Sequence, residues 1–296
     1  MIDSKLLYQC KDQTGETSTW FPALDSFLWV DIDNGILHQY QVKDKKVIDH
    51  YFPEVITSIV PWKGHDNEVI LMKINRCVAY DIAKKTWYTL IDLKSLHPQF
   101  RTNDCKTSLE GRIWCGIMHM HTDYENASLY RVDNDGDNYE VLAGQCIPNG
   151  IVWNKEDNLT YYAYSGHSCI EEYAYNQKND NITFRRVAVQ VPTELSVSDG
   201  MTIDAQDNLW VVHWGGFGVY VWNPTDGNFL EKVSVPAPNV ASCTFGGVDS
   251  KQLYITSAID RLTEEEVQQY PLSGSLFVVN IDNVLVGQNH YPFINN

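Results

Sequence analysis

The chain has 296 residues and carries 22 Lys and Arg against 38 Asp and Glu, a formal net charge of −16. That balance excludes a nucleic-acid binder and speaks against an anionic membrane partner, because neutralising phosphates takes clustered Lys and Arg. A hydrophobic content of 44% with nine Trp and 17 Tyr excludes a disordered chain, and no apolar run approaches the roughly 20 residues of a transmembrane helix. The opening MIDSKLLYQC lacks the basic and long apolar regions of a signal peptide, so a cytoplasmic location is expected. The seven cysteines include no CxxC pair, which points to reduced, mostly buried thiols rather than a zinc knuckle. Sequons at Asn126, Asn158 and Asn181 are then expected to be chance.

Taken in chain order, one unit recurs six times. A turn dipeptide precedes an aromatic or aliphatic residue that opens an apolar run, and a second strand-like run follows. The first unit is Asp25-Ser26 before Trp29, then ILHQYQV (36–42). The second is Asp66-Asn67 before Ile70, then CVAYDI (77–82), and the third Glu110-Gly111 before Trp114, then SLYRVD (128–133). Asp157-Asn158 before Tyr161 and CIEEYAY (169–175) form the fourth, and Asp207-Asn208 before Trp210 and GVYVWN (218–223) the fifth. The sixth has Asp249-Ser250 before Tyr254, then SLFVVN (275–280). The landmarks are 41, 44, 47, 49 and 44 residues apart. Aromatic and β-branched enrichment between Gly, Asn and Asp punctuation marks strands. Helical signals are confined to a turn at Leu93–Leu96 and a capping box beginning at Thr263.

Six units of this length, each with several short strands, predict an all-β fold: a six-bladed β-propeller in one domain over 1–296. A lone hairpin cannot bury both faces, whereas blades in a ring can. Closure is expected to pair strands from both termini in one blade. The landmark aromatics are expected in the core.

The repeat brings out a second pattern. About 11–13 positions before each landmark stand Glu16, Ser58, Asn103, Asn149, Asp199 and Ser242, all polar. In a propeller the innermost strands line a central channel, so residues of equal phase point at one axis. Glu16, Asn149 and Asp199 offer two carboxylates and an amide oxygen, which suit a hard divalent cation such as calcium, magnesium or manganese. Zinc more often recruits His or Cys. Two carboxylates facing one another repel unless a cation lies between them. Taken singly, Asn149-Gly150 and Asp199-Gly200 are also ordinary turn dipeptides.

These residues carry a resemblance. Gly15-Glu16 with FLWVDIDNGILHQY (27–40), RTNDCKTSLEGRIWCGIM (101–118) and PNGIVWNKEDNLTYY (148–162) resemble the SMP-30/gluconolactonase/regucalcin family. SDGMTIDAQDNLWVVHWGG (198–216), ASCTFGGVDSKQLYITSA (241–258) and PLSGSLF (271–277) extend the likeness over about 14–280. It implies a sugar-lactonase-like propeller with one divalent metal ion in the central channel, held by Glu16, Asn149 and Asp199. Calcium comes first, with zinc, magnesium or manganese as alternatives. It also implies that Arg101 and Asn103 contact the substrate, with Asn103 near the metal. Where the family commonly continues Gly-Glu-Gly-Pro, this chain has Thr17-Ser18, and Cys105 stands in place of the Gly of Asn-Asp-Gly. His121 stands about where some members carry an acidic substrate contact.

The function expected is a metal-dependent lactonase of gluconolactonase type acting on a small-molecule sugar lactone. The metal polarises the carbonyl, water attacks, and Asp199 serves as catalytic base as well as ligand. Arg101, Asn103 and His121 bind the substrate, with Thr17 and Ser18 tuning it. The alternatives are an aryl-ester or phosphotriester hydrolase on the same metal site, or a non-enzymatic calcium-binding or interaction propeller. Related propellers that catalyse a metal-free condensation are disfavoured by the retained Glu16, Asn149 and Asp199. His119 and His121 are open between substrate contact, plain surface and a two-His metal site, His213 between pocket lining and a buried position, and Cys105 lacks the base a nucleophile needs. No Gly-x-Ser-x-Gly elbow or phosphate-binding glycine loop is present. The oligomeric state is not readable.

Overall fold

The computed structural model describes residues 1–93, 99–120, 126–133, 136–247, 250–281 and 292–294. It is a six-bladed β-propeller of six antiparallel sheets. Blade 1 runs from the channel outward through Gly15–Phe21, Ser26–Asp31, Ile36–Gln41 and Lys46–Tyr51. The innermost strands of blades 2 to 6 are Ser58–Pro61, Phe100–Thr107, Pro148–Trp153, Val197–Ile203 and Val240–Gly246. Each packs on the next, and the last packs on Gly15–Phe21 to close the ring.

The recurring unit explains this arrangement. Every landmark residue lies on the second strand of its blade, and every following run forms the third. Six apolar clusters fill the structure, and each straddles one blade boundary. Leu28, Val30 and Leu37 of blade 1, for instance, meet Ile59, Val69 and Leu71 of blade 2. The landmarks Trp29, Ile70, Trp114, Tyr161, Trp210 and Tyr254 are all buried. In blade 5 the turn before the landmark is Asx-type: Asp204 accepts the backbone N–H groups of Gln206 and Asn208 and also the Trp210 indole N–H at 3.0 Å.

Closure runs as expected. Lys5–Tyr8 is the outermost strand of blade 6, antiparallel to Leu276–Asn280, and Ile2–Asp3 adds a parallel fifth strand to blade 5. The single α-helix among the described residues, Glu264–Gln269, carries the full Thr263–Glu266 capping box. Of the turn at Leu93–Leu96, only Leu93 is within the described residues, and it has no helical structure. All seven cysteines are free, five of them buried. Among the described residues no helix is long and apolar enough to cross a membrane.

Candidate functional site

All six polar residues of equal phase lie on innermost strands, yet only four of them reach a common cavity. Glu16, Asn103, Asn149 and Asp199 line a cavity of about 380 Å³ together with Arg101. Ser58 and Ser242 do not. The difference lies in the backbone. Blades 1, 3, 4, 5 and 6 break register between their first two strands: at Glu16/Thr19, Thr102/Cys105, Pro148/Ile151, Ser198/Met201 and Val240/Ser242. A bulge re-aims the side chain beside it. Blade 2 pairs Ser58–Pro61 without interruption, and Ser58 stays fully buried with its hydroxyl unpartnered. Ser242 instead bonds the Ser18 hydroxyl at 2.7 Å and accepts its backbone N–H at 2.8 Å.

The Asn149-Gly150 and Asp199-Gly200 pairs therefore sit within bulged strands and not in turns. Their glycines are required by close approach. A Cβ on Gly150 would lie 2.7 Å from the Met201 backbone nitrogen, and one on Gly200 would lie 2.7 Å from the Ala241 carbonyl.

A hydrogen-bonded chain fixes one side of the site. Arg101 donates to the Thr102 carbonyl at 2.9 Å and to Asn103 Oδ1 at 2.8 Å. Asn103 Nδ2 donates to the Pro148 carbonyl and to Asn149 Oδ1, both at 2.9 Å. Asn149 Nδ2 donates to Ser165 Oγ at 2.8 Å, and Ser165 Oγ to the Ser198 carbonyl at 2.6 Å. Blades 3, 4 and 5 are thereby tied together, and the Asn149 amide oxygen is turned away from Ser165. Opposite them, the Thr17 backbone N–H donates to Glu16 Oε2 at 2.9 Å. That geometry sets Thr17 at φ +48°, where a β-branched residue is strained.

Charge in the channel is unbalanced. Burial, then repulsion from Asp199 and Asp104, holds Glu16 well above the usual carboxylate range. Burial and Asp104 do the same to Asp199. Asp104, raised by its own burial, is countered by Lys106. The Lys106 ammonium crosses from blade 3 to donate to the Met201 carbonyl on blade 5, and burial lowers its pKa. Three carboxylates thus share the channel interior with one ammonium and with Arg101 at its wall. Among the described residues no three His, Cys, Asp or Glu side chains converge on one metal position. A cation held by Glu16 and Asp199 would also draw on the Asn149 amide oxygen. This oxygen-rich, acid-excess set fits a hard divalent ion.

Several expected contacts fall elsewhere. His121 lies outside the described residues. Thr17 Oγ1 donates to the Thr57 carbonyl at 3.3 Å, and Ser18 bonds Ser242, so both tie blade 1 to its neighbours and neither lines the cavity. His213 is wholly buried against Tyr220, with Nδ1 3.0 Å from the Leu195 carbonyl; burial lowers its pKa to about 4. His119 meets the Phe100 ring edge-on at 5.2 Å. Cys105 is buried beside Cys115, and burial pushes its thiol far up, which removes it as a nucleophile. Conversely, Asp104, Lys106, Ser165 and Trp214 carry no mark in the repeat. The bulge at 102–105 is what turns Asp104 inward beside Asn103, and strict alternation hides it.

The family model described as the SMP-30/Gluconolactonase/LRE-like region matches residues 14–259. YvrE of Bacillus subtilis (strain 168), whose name assigns it provisionally as a sugar lactone lactonase, is 30% identical over 95% of this chain and 96% of its own. The pentonolactonase XacC of Haloferax volcanii is 30% identical, with 82% and 81% of the two chains covered. The crystal structure of a calcium-binding protein, regucalcin, from Agrobacterium tumefaciens superposes with a TM-score of 0.91 at 21% identity, covering 99% of this chain and 98% of that one.

Proposed function

The chain belongs to the SMP-30/gluconolactonase/LRE-like family, and from that premise we propose that it is a divalent-cation-dependent hydrolase that opens the ring of a sugar-acid lactone. The observation that carries the reading is the acid-excess channel floor, Glu16 and Asp199 with the Asn149 amide oxygen, at the base of a cavity of about 380 Å³. That volume suits a small ligand.

Glu16, Asn149 and Asp199 would hold the cation, with calcium favoured by the hard oxygen set. When bound, the cation supplies Lewis-acid polarisation of the lactone carbonyl. The remaining work falls to the chain. Arg101, fixed by its bonds to Thr102 and Asn103, orients the substrate from the wall. Asp199 is the general base. It takes a proton from the attacking water, and that proton returns to the ring oxygen as the acyl C–O bond breaks.

The test is acid release in a pH-stat from a panel of aldonolactones. It is run after chelation and again with calcium, magnesium, manganese or zinc restored, with spontaneous opening subtracted. Metal-restored turnover that is lost in Asp199→Asn, with unchanged circular dichroism, supports the proposal. A metal-dependent rise in melting temperature with no turnover on lactones, but turnover on aryl esters or phosphotriesters, moves the chemistry to those substrates. The same rise with no turnover on any of them assigns a binding role.

A further inference from the structure

Outside the hydrogen-bonded set of Arg101, Asn103, Asn149 and Ser165, the cavity lining around Glu16 and Asp199 divides by blade into two arcs, interrupted by Ile32 on blade 1. Blades 3, 4 and 5 give an apolar arc: Met118 and Met120, Ile147, Val197, and Trp214. Blades 6 and 1 give a charged arc: Asp260, Arg261 and Asp33. In the apolar arc Met120 is 45% and Val197 38% exposed, Trp214 is half-buried, and Met118 is 2% exposed. The charged arc is braced. The Thr14 hydroxyl donates to Asp33 Oδ2 at 2.6 Å. The Asp260 backbone N–H donates to the Gln13 carbonyl at 2.9 Å, and its carbonyl accepts from Asn239 Nδ2 at 2.8 Å. Its carboxylate stands 3.6 Å from Arg261 Nε. Both carboxylates also act on Arg101, favouring its charged form.

A ligand seated on the channel floor touches both arcs at once. A hydroxyl facing Asp33 or Asp260 finds acceptors in place of water. A hydroxyl facing Trp214 and Met118 gives up its water and finds no carboxylate acceptor there, whereas a methyl group gains burial.

We infer that Asp33 and Asp260 on one side, and Trp214 and Met118 on the other, set substrate choice, so that the cavity takes a deoxy-sugar lactone with its hydroxylated edge toward the carboxylates and its hydrocarbon edge toward Trp214. This rests on the lactonase reading above.

The experiment compares two lactones that differ by one group, a hexono-1,4-lactone and its 6-deoxy counterpart, on the metal-loaded full chain. The wild type favours the deoxy lactone by about tenfold in kcat/KM, the scale of a single group in an apolar pocket. Trp214→Gln erases that ratio, and Trp214→Leu, which keeps the wall apolar, retains it. Asp33→Asn with Asp260→Asn raises KM for both lactones and leaves the ratio in place. Turnover with equal handling of the pair, or with the fully hydroxylated lactone preferred, overturns the inference and leaves lactone hydrolysis standing. Should neither lactone turn over, the lactonase reading fails by itself. Calorimetric binding of the two corresponding aldonates then decides the cavity: preference for the deoxy acid supports the two-arc assignment, and equal binding overturns it.

Discussion

Gly200→Ala tests whether the bulged inner strands, and not the ligand types alone, make the site. The new Cβ would stand 2.7 Å from the Ala241 carbonyl oxygen and 3.1 Å from Ser242 Cα. Non-bonded heavy atoms settle at about 3.5 Å or more, so the inner strands of blades 5 and 6 must separate by about 0.8 Å. The obstacle is backbone on both sides, and no flexible side chain can yield instead. Overpacking of this kind costs about 1–3 kcal/mol. Because Asp199 is the adjacent residue on the displaced strand, a shift approaching 1 Å should also lower turnover, by up to about a hundredfold. The assays are urea unfolding for stability, calorimetry for cation affinity, and the pH-stat for turnover. Gly64→Ala is the comparator. Its Cβ meets nothing within 4 Å, so it bears only left-handed strain at φ +80°, costing about 1–2 kcal/mol, and leaves affinity and turnover unchanged. A Gly200→Ala protein with wild-type stability and wild-type turnover would refute the reasoning.

Other expectations follow from the same geometry. Protons compete with the cation at Glu16 and Asp199, whose carboxyl groups are held above their usual range by burial and by neighbouring carboxylates, Asp199 and Asp104 for Glu16 and Asp104 for Asp199. Cation affinity should therefore fall as pH drops through those raised values, and Glu16→Gln should bind more weakly and with a shallower profile; a flat wild-type profile in calorimetry contradicts this. His50 and His213 are buried with pKa values lowered to about 4. The unfolded chain takes up their protons near 6.5, so their contribution is intact above 6.5 and is lost as pH falls toward 4, by at most about 3 kcal/mol each. Urea unfolding at pH 7 and pH 4.5 should show a smaller loss in His213→Asn than in wild type, and equal losses would rule out the His213 contribution. Ser58→Ala removes an unpartnered hydroxyl outside the cavity and should leave cation binding and turnover unaltered. Cys105→Ser should keep its turnover, whereas a hundredfold loss would point to a nucleophile.

The six-fold organisation is readable because each blade repeats one apolar requirement: its second and third strands bury both faces, so their aromatic and β-branched runs return at a constant phase. The outermost strands lack that signature. Thr86–Asp92 is largely exposed, and Asn181–Gln190 alternates only weakly. Phase also placed Glu16, Asn103, Asn149 and Asp199 on innermost strands, because it reports which strand a residue occupies. It could not separate them from Ser58, which sits in the one unbroken pairing, or from Ser242, which is bonded to Ser18, since both facts depend on contacts between strands. Asp104 and Lys106 enter the channel for the same reason. Trp214 was hidden in a different way. It continues the buried run that begins at Leu209, and only the end of that strand at the cavity rim leaves its ring partly accessible.

Blade 6 stands between the blade that bears Asp199 and the blade that bears Glu16, and its outer strand comes from residues 5–8, paired to partners roughly 270 positions away. A growing chain therefore carries its first strand unpaired until nearly all the rest has been made. The two carboxylates face each other only once the seam is shut. Loop-closure entropy over so long a span opposes that step, so assembly of the site should be the slow, final event of folding. A proteolytic nick between Tyr8 and Asp12 would sever the strands that residues 2–8 add to blades 5 and 6 and so loosen the seam beside the acidic centre.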